Sequence, residues 1–183
     1  MTVADDTGDA GGGVEQDGAL DAVDAAGGRS RSKRTGKHPV TARTKARRRA
    51  VEILFEADQR GMLSPEGAEE LRSFAQLRAV SSANHTEAPA YTREILDGVC
   101  DHLADVDETI QTYAQGWTLG RMPAVDRAIA RVTTWEIVYN DDVDAPVAVD
   151  EAMTLSRMLS TDESPRYLGG LLGRIGDLAD TLR

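Results

Sequence analysis

The chain has 183 residues, 40% of them hydrophobic and only 4% aromatic, so a core must come from Ala, Val, Leu, Ile and Met, which suit helix packing better than strands. A single cysteine, Cys100, excludes an intramolecular disulfide and points to a reducing, cytoplasmic compartment. No apolar run approaches the roughly 20 residues that span a bilayer, and the acidic, Gly-rich start is unlike a secretory signal.

The net charge of −10 argues against a nucleic-acid partner only until it is divided along the chain. Residues 1–28 hold seven acids and no Lys or Arg, whereas residues 29–49 hold ten Lys or Arg and no acid. A phosphate meets the local field, not the average. Residues 1–28 also contain seven of the 17 glycines and no aromatic side chain, too little apolar surface to offset the entropy of ordering. Residues 1–40 are therefore expected to form a disordered tail, acidic then basic, and residues 41–183 the folded domain, with Thr41 as its first N-cap.

From Thr41 onward the apolar residues recur with helical period. Ala46, Ala50, Ile53, Leu54 and Ala57 form one stripe, and Gly61 ends that helix. Ser64-Pro65-Glu66 reads as a cap with Pro at the first helical position, leading into Leu71, Phe74 and Leu77; residues 79–88 read as a loop. A third helix runs from Tyr91 to Leu103, and a short fourth from Val106 to Tyr113, closed by Gly116. Pro123 opens a fifth with Val125, Ala128, Ile129, Val132, Trp135 and Tyr139 on one face. Pro146 opens a sixth and Ser164-Pro165 a seventh, the last carrying Leu168, Leu171, Leu172, Ile175 and Leu178. The expected fold is all-α, a compact bundle of about seven helices.

The first helix places Lys45 and Arg48 opposite its core stripe, with Arg47 and Arg49 on the shoulders, at about 100° per residue. Several guanidinium and ammonium groups converging on one surface can hold a phosphate backbone; the competing reading is a solvated charged face. Phe55 lies on the same outward side, either filling a second packing layer or meeting a partner. Glu136 falls on a core face and needs a partner, for which Arg121 and Arg127 are the candidates. Asp150-Glu151 is explained by the dipole of the nearby helix start.

Catalysis finds little support. His38, His85 and His102 are scattered, no Cys/His spacing suits zinc, and Gly169-Gly170-x-x-Gly173 lacks the strand and Gly-Lys-Ser of a phosphate loop. Cys100 reads as packed or idle. No catalytic residue, metal or cofactor is expected.

Ala46-Arg47-Arg48-Arg49-Ala50-Val51-Glu52-Ile53-Leu54-Phe55 resembles the opening of NusB-family proteins. Residues 117–131, from Trp117 to Arg131, are similar to a second family stretch, which continues through Trp135-Glu136-Ile137 and Pro146 to Ala152. Ser164-Pro165-Arg166-Tyr167-Leu168-Gly169-Gly170-Leu171-Leu172 is similar to the family's closing block, with Gly169 where the family usually has Asn. That departure removes an amide, and two adjacent glycines weaken a helix interior by about 1–2 kcal/mol against alanine.

The resemblance implies two helical subdomains and binding to the boxA element of ribosomal RNA leader transcripts. It also implies NusE, a small-subunit ribosomal protein, as co-binder and the RNA polymerase antitermination complex as the setting. By position it implies Arg43, Lys45, Arg47, Arg48 and Arg49 as one RNA-binding turn and Glu163, Ser164, Arg166 and Tyr167 as a second RNA-facing segment. Phe55 and Asp126 match positions facing the protein partner. Family members are found as monomers and homodimers, and neither state is selected. Two alternatives remain: a helical adaptor without sequence-specific RNA binding, and the N-terminal module of an rRNA methyltransferase. The second requires a Rossmann-type domain with a Gly-rich cofactor loop, which these 183 residues do not contain.

Overall fold

Thr41 begins the first helix by a reciprocal bond pair. Its Oγ1 accepts from the Thr44 amide at 3.0 Å, and its own amide donates to Thr44 Oγ1 at 3.2 Å. This capping box satisfies donors that a helix start otherwise leaves open. The computed structural model describes residues 40–64, 67–81 and 87–183; the expected tail, apart from Val40, and the Pro65-Glu66 helix start lie outside them.

Eight helices follow in the described residues: α1 (Ala42–Gln59), α2 (Ala68–Val80), α3 (Ala90–Asp101), α4 (Leu103–Tyr113), α5 (Ala124–Tyr139), α6 (Ala145–Leu159), α7 (Ser164–Asp177) and α8 (Ala179–Leu182). A short 3-10 turn, Leu119–Arg121, precedes α5. The architecture is all-α as the periodicity implies, with α8 an additional closing turn. None of the helices is long and apolar enough to cross a membrane among the described residues.

Helix α5 is the axis. Twelve of its 16 residues are buried, so it is covered all round instead of along one stripe. It packs against α1 and α3 on one hand and α4, α6 and α7 on the other. Helices α1, α2 and α3 also contact one another, as do α6 with α7 and α4 with α7. Two helical groups therefore share one central rod. Gly98 of α3 packs directly on α5: a Cβ there would lie 2.1 Å from the Trp135 indole, so only glycine lets α3 reach α5 at that point.

The expected stripe of α1 is buried as read: Ala46, Ala50, Ile53, Leu54 and Ala57 are at most 1% exposed. Val51, outside that stripe, is buried too, because α1 lies between α5 and the α2–α3 pair. On α2 the expectation fails at Leu77, which is exposed. Each i,i+3 step falls about 60° short of a full turn, so Leu71–Phe74–Leu77 drifts off the core that Leu71, Ala75 and Ala79 occupy. Helix α4 begins at Leu103, three residues before the expected Val106, so His102 alone separates it from α3. Tyr139 and Leu178 lie at the exposed margins of their helices.

Candidate nucleic-acid interface

The basic turn of α1 divides into cations that face outward and cations that are engaged inside. Arg43 and Lys45 are exposed, and the Arg43 guanidinium lies 4.8 Å from the centroid of the Tyr91 ring. Arg48 is exposed but donates from Nε to Glu52 at 2.8 Å, four residues along the same helix. Arg49 is half-buried and donates to the Arg78 carbonyl at 3.0 Å.

Arg47 is different. It is 2% exposed and donates from Nε to both carboxylate oxygens of Glu136, at 2.8 and 3.0 Å. It precedes Ala50 by three residues and Val51 by four, which puts it on the covered side of α1 rather than on a shoulder. The expectation of Arg47 as a phosphate contact is corrected accordingly: its charge neutralises a buried acid. Burial works against that charge, yet the adjacent Glu136 carboxylate raises the guanidinium above its ordinary value.

Glu136 therefore pairs with Arg47, not with Arg121 or Arg127. Those two belong to the opposite end of α5, about 14 Å away from Glu136 for Arg127 at 1.5 Å per residue. Arg127 instead grips Asp58 at 2.5 Å and the Met122 carbonyl at 2.7 Å, and Arg121 is exposed. The Tyr91 hydroxyl also donates to Glu136, and burial followed by the Glu136 charge pushes that phenol up. Glu151 is likewise engaged across helices, accepting from Thr44 Oγ1 at 3.2 Å and lying 3.5 Å from Arg47. It sits in the second turn of α6, where this contact to α1 explains it better than a helix dipole.

At the other end of α5, the start of α7 builds a pocket of about 600 Å³ together with the segment before α5. Ser164 is buried and donates from Oγ to Asp126 Oδ2 at 2.8 Å, while Ser160 Oγ and Thr161 Oγ1 each lie 2.9 Å from the same hydroxyl. Asp126 is 2% exposed, so a partner reaches it only with a group that enters the pocket. Glu163 and Arg166 are exposed on the rim. Tyr167 is half-buried, its ring 5.3 Å from that of Trp117 and tilted by 33°. Burial raises its phenol, Asp126 adds to the effect, and Arg174 opposes it.

The two segments are not adjacent. Arg47 meets α5 at Glu136 and Ser164 meets it at Asp126, about 15 Å apart along the helix. Gly169 faces Met153 of α6, whose Sδ would lie 3.2 Å from a Cβ, so this position belongs to the α6–α7 seam. Phe55 is half-buried and packs on the core. Cys100 is buried, its thiol pushed up to about 11 by burial.

Sequence reasoning overlooked three side chains here. Trp117 follows Gly116, whose φ of +80° turns the chain out of α4, and an exposed aromatic placed just after such a turn was a usable signal. Arg174 lines the pocket while donating from Nε and Nη2 to the Tyr113 carbonyl at 3.2 and 2.9 Å. Tyr91 reads only as the start of a helix, and nothing in its spacing announces the Glu136 bond.

The family model described as the NusB family matches residues 44–177. The chain belongs to the NusB family. A relative from Beutenbergia cavernae, "Transcription antitermination protein NusB", is 49% identical over 148 residues, covering 79% of this chain and 95% of that one. A NusB from Arthrobacter sp. (strain FB24) is 49% identical over 143 residues, covering 78% and 98%. Among solved structures, NusB of T. maritima aligns with a TM-score of 0.62 at 26% identity, covering 75% of this chain and 92% of that one. A chain from a crystal structure of the antitermination factors NusB and NusE with double-stranded RNA aligns at 0.57 and 17% identity, covering 74% and 96%, which shows the NusB fold alone.

Proposed function

We propose that this chain is a transcription antitermination factor that binds the boxA element of ribosomal RNA leaders together with NusE. In that role it supports processive transcription of rRNA operons within the RNA polymerase antitermination complex. The observation that carries this reading is 49% identity over 95% of a relative named as a transcription antitermination protein. The reading is of a cytoplasmic binding module, not an enzyme, with residues 41–183 as the RNA-binding domain.

Within it, Arg43 and Lys45 take phosphates on the α1 side, helped by Arg48 once Glu52 releases it and by Arg49 once it leaves the Arg78 carbonyl. Arg166 and Tyr167 contact RNA at the other end, with Glu163 and Ser164 shaping that rim. Half-buried Phe55 offers the edge of its ring to NusE, and Asp126 contacts a partner through the pocket. Cations set affinity and register, whereas aromatic contacts to unstacked bases set sequence preference.

The test is a titration of the full chain with boxA RNA and with a scrambled single strand, with and without NusE, at several salt concentrations. Tight boxA binding that weakens steeply with salt and strengthens with NusE is expected. Equal binding of both RNAs, unaffected by NusE, would sink the proposal; NusE binding without RNA affinity would favour a protein adaptor.

A further inference from the structure

We propose that Arg127 is a positioning residue that couples the protein-facing side of α1 to the segment before α5, so that NusE bound at the first raises affinity for RNA at the second. The proposal rests on the functional reading above and adds the side chain that links its two binding sites.

Arg127 is a two-ended group. Its Nε and Nη2 donate to Asp58 Oδ1 and Oδ2 at 3.2 and 2.5 Å, a forked bond to the C-terminal part of α1. Its Nη1 serves the other end, 2.7 Å from the Met122 carbonyl, 3.2 Å from that of Leu119 and 3.4 Å from that of Gly120. The Met122 carbonyl accepts no backbone bond among the described residues, so Arg127 is what satisfies it. A guanidinium is planar and rigid, and neither end can be displaced without the other.

Each end is attached to a candidate binding surface. Asp58 follows Phe55 by three residues on α1, which makes the two side chains neighbours on the helix. Asp58 is also backed by Arg131, whose Nη1 lies 3.3 Å from Oδ1 and which donates to both oxygens of Asp107 on α4 at 2.7 and 2.9 Å. At the other end, Leu119 to Met122 follow Trp117 directly, and the Trp117 ring leans on Tyr167. Both rings line the pocket at the start of α7. A shift of α1 against α5 therefore pulls on the carbonyls that set the course of this segment.

Arg47 shows what a purely structural pair looks like: it joins side chain to side chain between helices. Arg127 instead holds main chain that lies outside the α-helices. A group in that place sets how freely the segment adjusts to RNA, and a partner on α1 changes that freedom. Coupling of this kind is reciprocal and usually amounts to roughly 5–150-fold in affinity.

The experiment measures the affinity of the full chain for boxA RNA with and without saturating NusE, and for NusE with and without RNA. The two ratios should be equal in the wild type. Arg127→Lys keeps a cation for Asp58 but cannot fork to it and reach the carbonyls together. It should leave each single-partner affinity within about twofold and bring the ratio below about twofold. Asp58→Asn should lower the ratio in the same way, and the double variant should lose no more than either change alone, as one shared link requires. Hydrogen exchange at residues 117–122 gives a second readout: NusE alone should slow it in the wild type and not in Arg127→Lys. A full NusE effect on RNA affinity in folded Arg127→Lys overturns the coupling and leaves the proposed function standing. Protection of 117–122 that persists in that variant also overturns it, because direct contact then accounts for the slowing. If Arg127→Lys fails to fold, Asp58→Asn decides by the same ratio. RNA binding by the wild type with no NusE effect overturns the coupling together with joint binding.

Discussion

The two ends of α5 each bury a carboxylate, and they treat it in opposite ways. Glu136 is 0% exposed and receives Arg47 on both oxygens plus the Tyr91 hydroxyl. Asp126 is 2% exposed and receives one bond, from Ser164, with its other oxygen unmatched among the described residues. The first end is a closed rivet joining α1, α3 and α5. The second is an open seat beside a cavity. A buried acid with complete partners is there for the fold, and one with partners missing is a candidate to receive something else.

The largest expected effect comes from opening the closed end. Arg47→Ala should destabilise the protein by roughly 3–5 kcal/mol, because Glu136 keeps its burial and loses its countercharge. Replacing both partners, as Arg47→Met with Glu136→Leu, should recover much of that loss, since the charge needing compensation is gone. Urea denaturation of the single and double variants measures both. If Ser164→Ala at the open end costs as much as Arg47→Ala, the distinction between rivet and seat collapses.

This contrast also marks what the sequence could convey. Helix order and most of the core were legible because the 3.6-residue period is a local property: seven of the eight helices and the Ala46–Ala57 stripe follow from it. The exceptions have local causes too, such as the angular drift at Leu77. Arg47 shows the harder limit. In sequence it is one of three consecutive arginines, and only the fold reveals that its partner lies 89 residues away. The rim of the second end was legible through motif similarity at Glu163, Ser164, Arg166 and Tyr167, but its pocket was not. Trp117 and Asp126 share the 117–131 stretch, but Arg174 lies 48 residues further on, and no spacing rule joins it to them.

Between the two ends a third carboxylate gives an intermediate effect. Asp58 on α1 meets Arg127 at 2.5 Å and Arg131 at 3.3 Å. Burial raises its carboxyl, but the two guanidinium groups outweigh that and hold it below the ordinary value of 3.8. A depressed folded-state value means that its stabilisation is complete above about pH 4 and is lost as pH falls through the lower folded value. Asp58→Asn should therefore cost roughly 1.5–3 kcal/mol at neutral pH and flatten the acid limb of a stability-versus-pH profile. An unchanged acid limb would mean that Asp58 is not linked to folding in this way.

The outward cations beside the rivet should behave unlike Arg47. Arg43→Ala with Lys45→Ala removes exposed charges, so folding stability should change little, while the salt slope for single-stranded RNA becomes shallower by about 1.4. At 0.1 M salt that corresponds to about 25-fold weaker binding, measured by anisotropy across a salt series. A loss of affinity with no change of slope would assign these residues to something other than phosphate.

The smallest effect tests the open end most directly, because its sign is opposite to that at the closed end. Asp126→Asn keeps an oxygen to accept from Ser164 and removes a buried charge whose second oxygen has no partner. Folding stability should rise by about 0.5–2 kcal/mol, the usual gain when a site kept for function is relieved of its strain. Glu136→Gln, the matching change at the closed end, should lower stability, because it leaves Arg47 buried with a weaker counterpart. Chemical denaturation of the two variants side by side makes the comparison independent of any ligand. If Asp126→Asn also destabilises, then Asp126 serves the fold as Glu136 does, and the unfilled oxygen is not a seat for a partner.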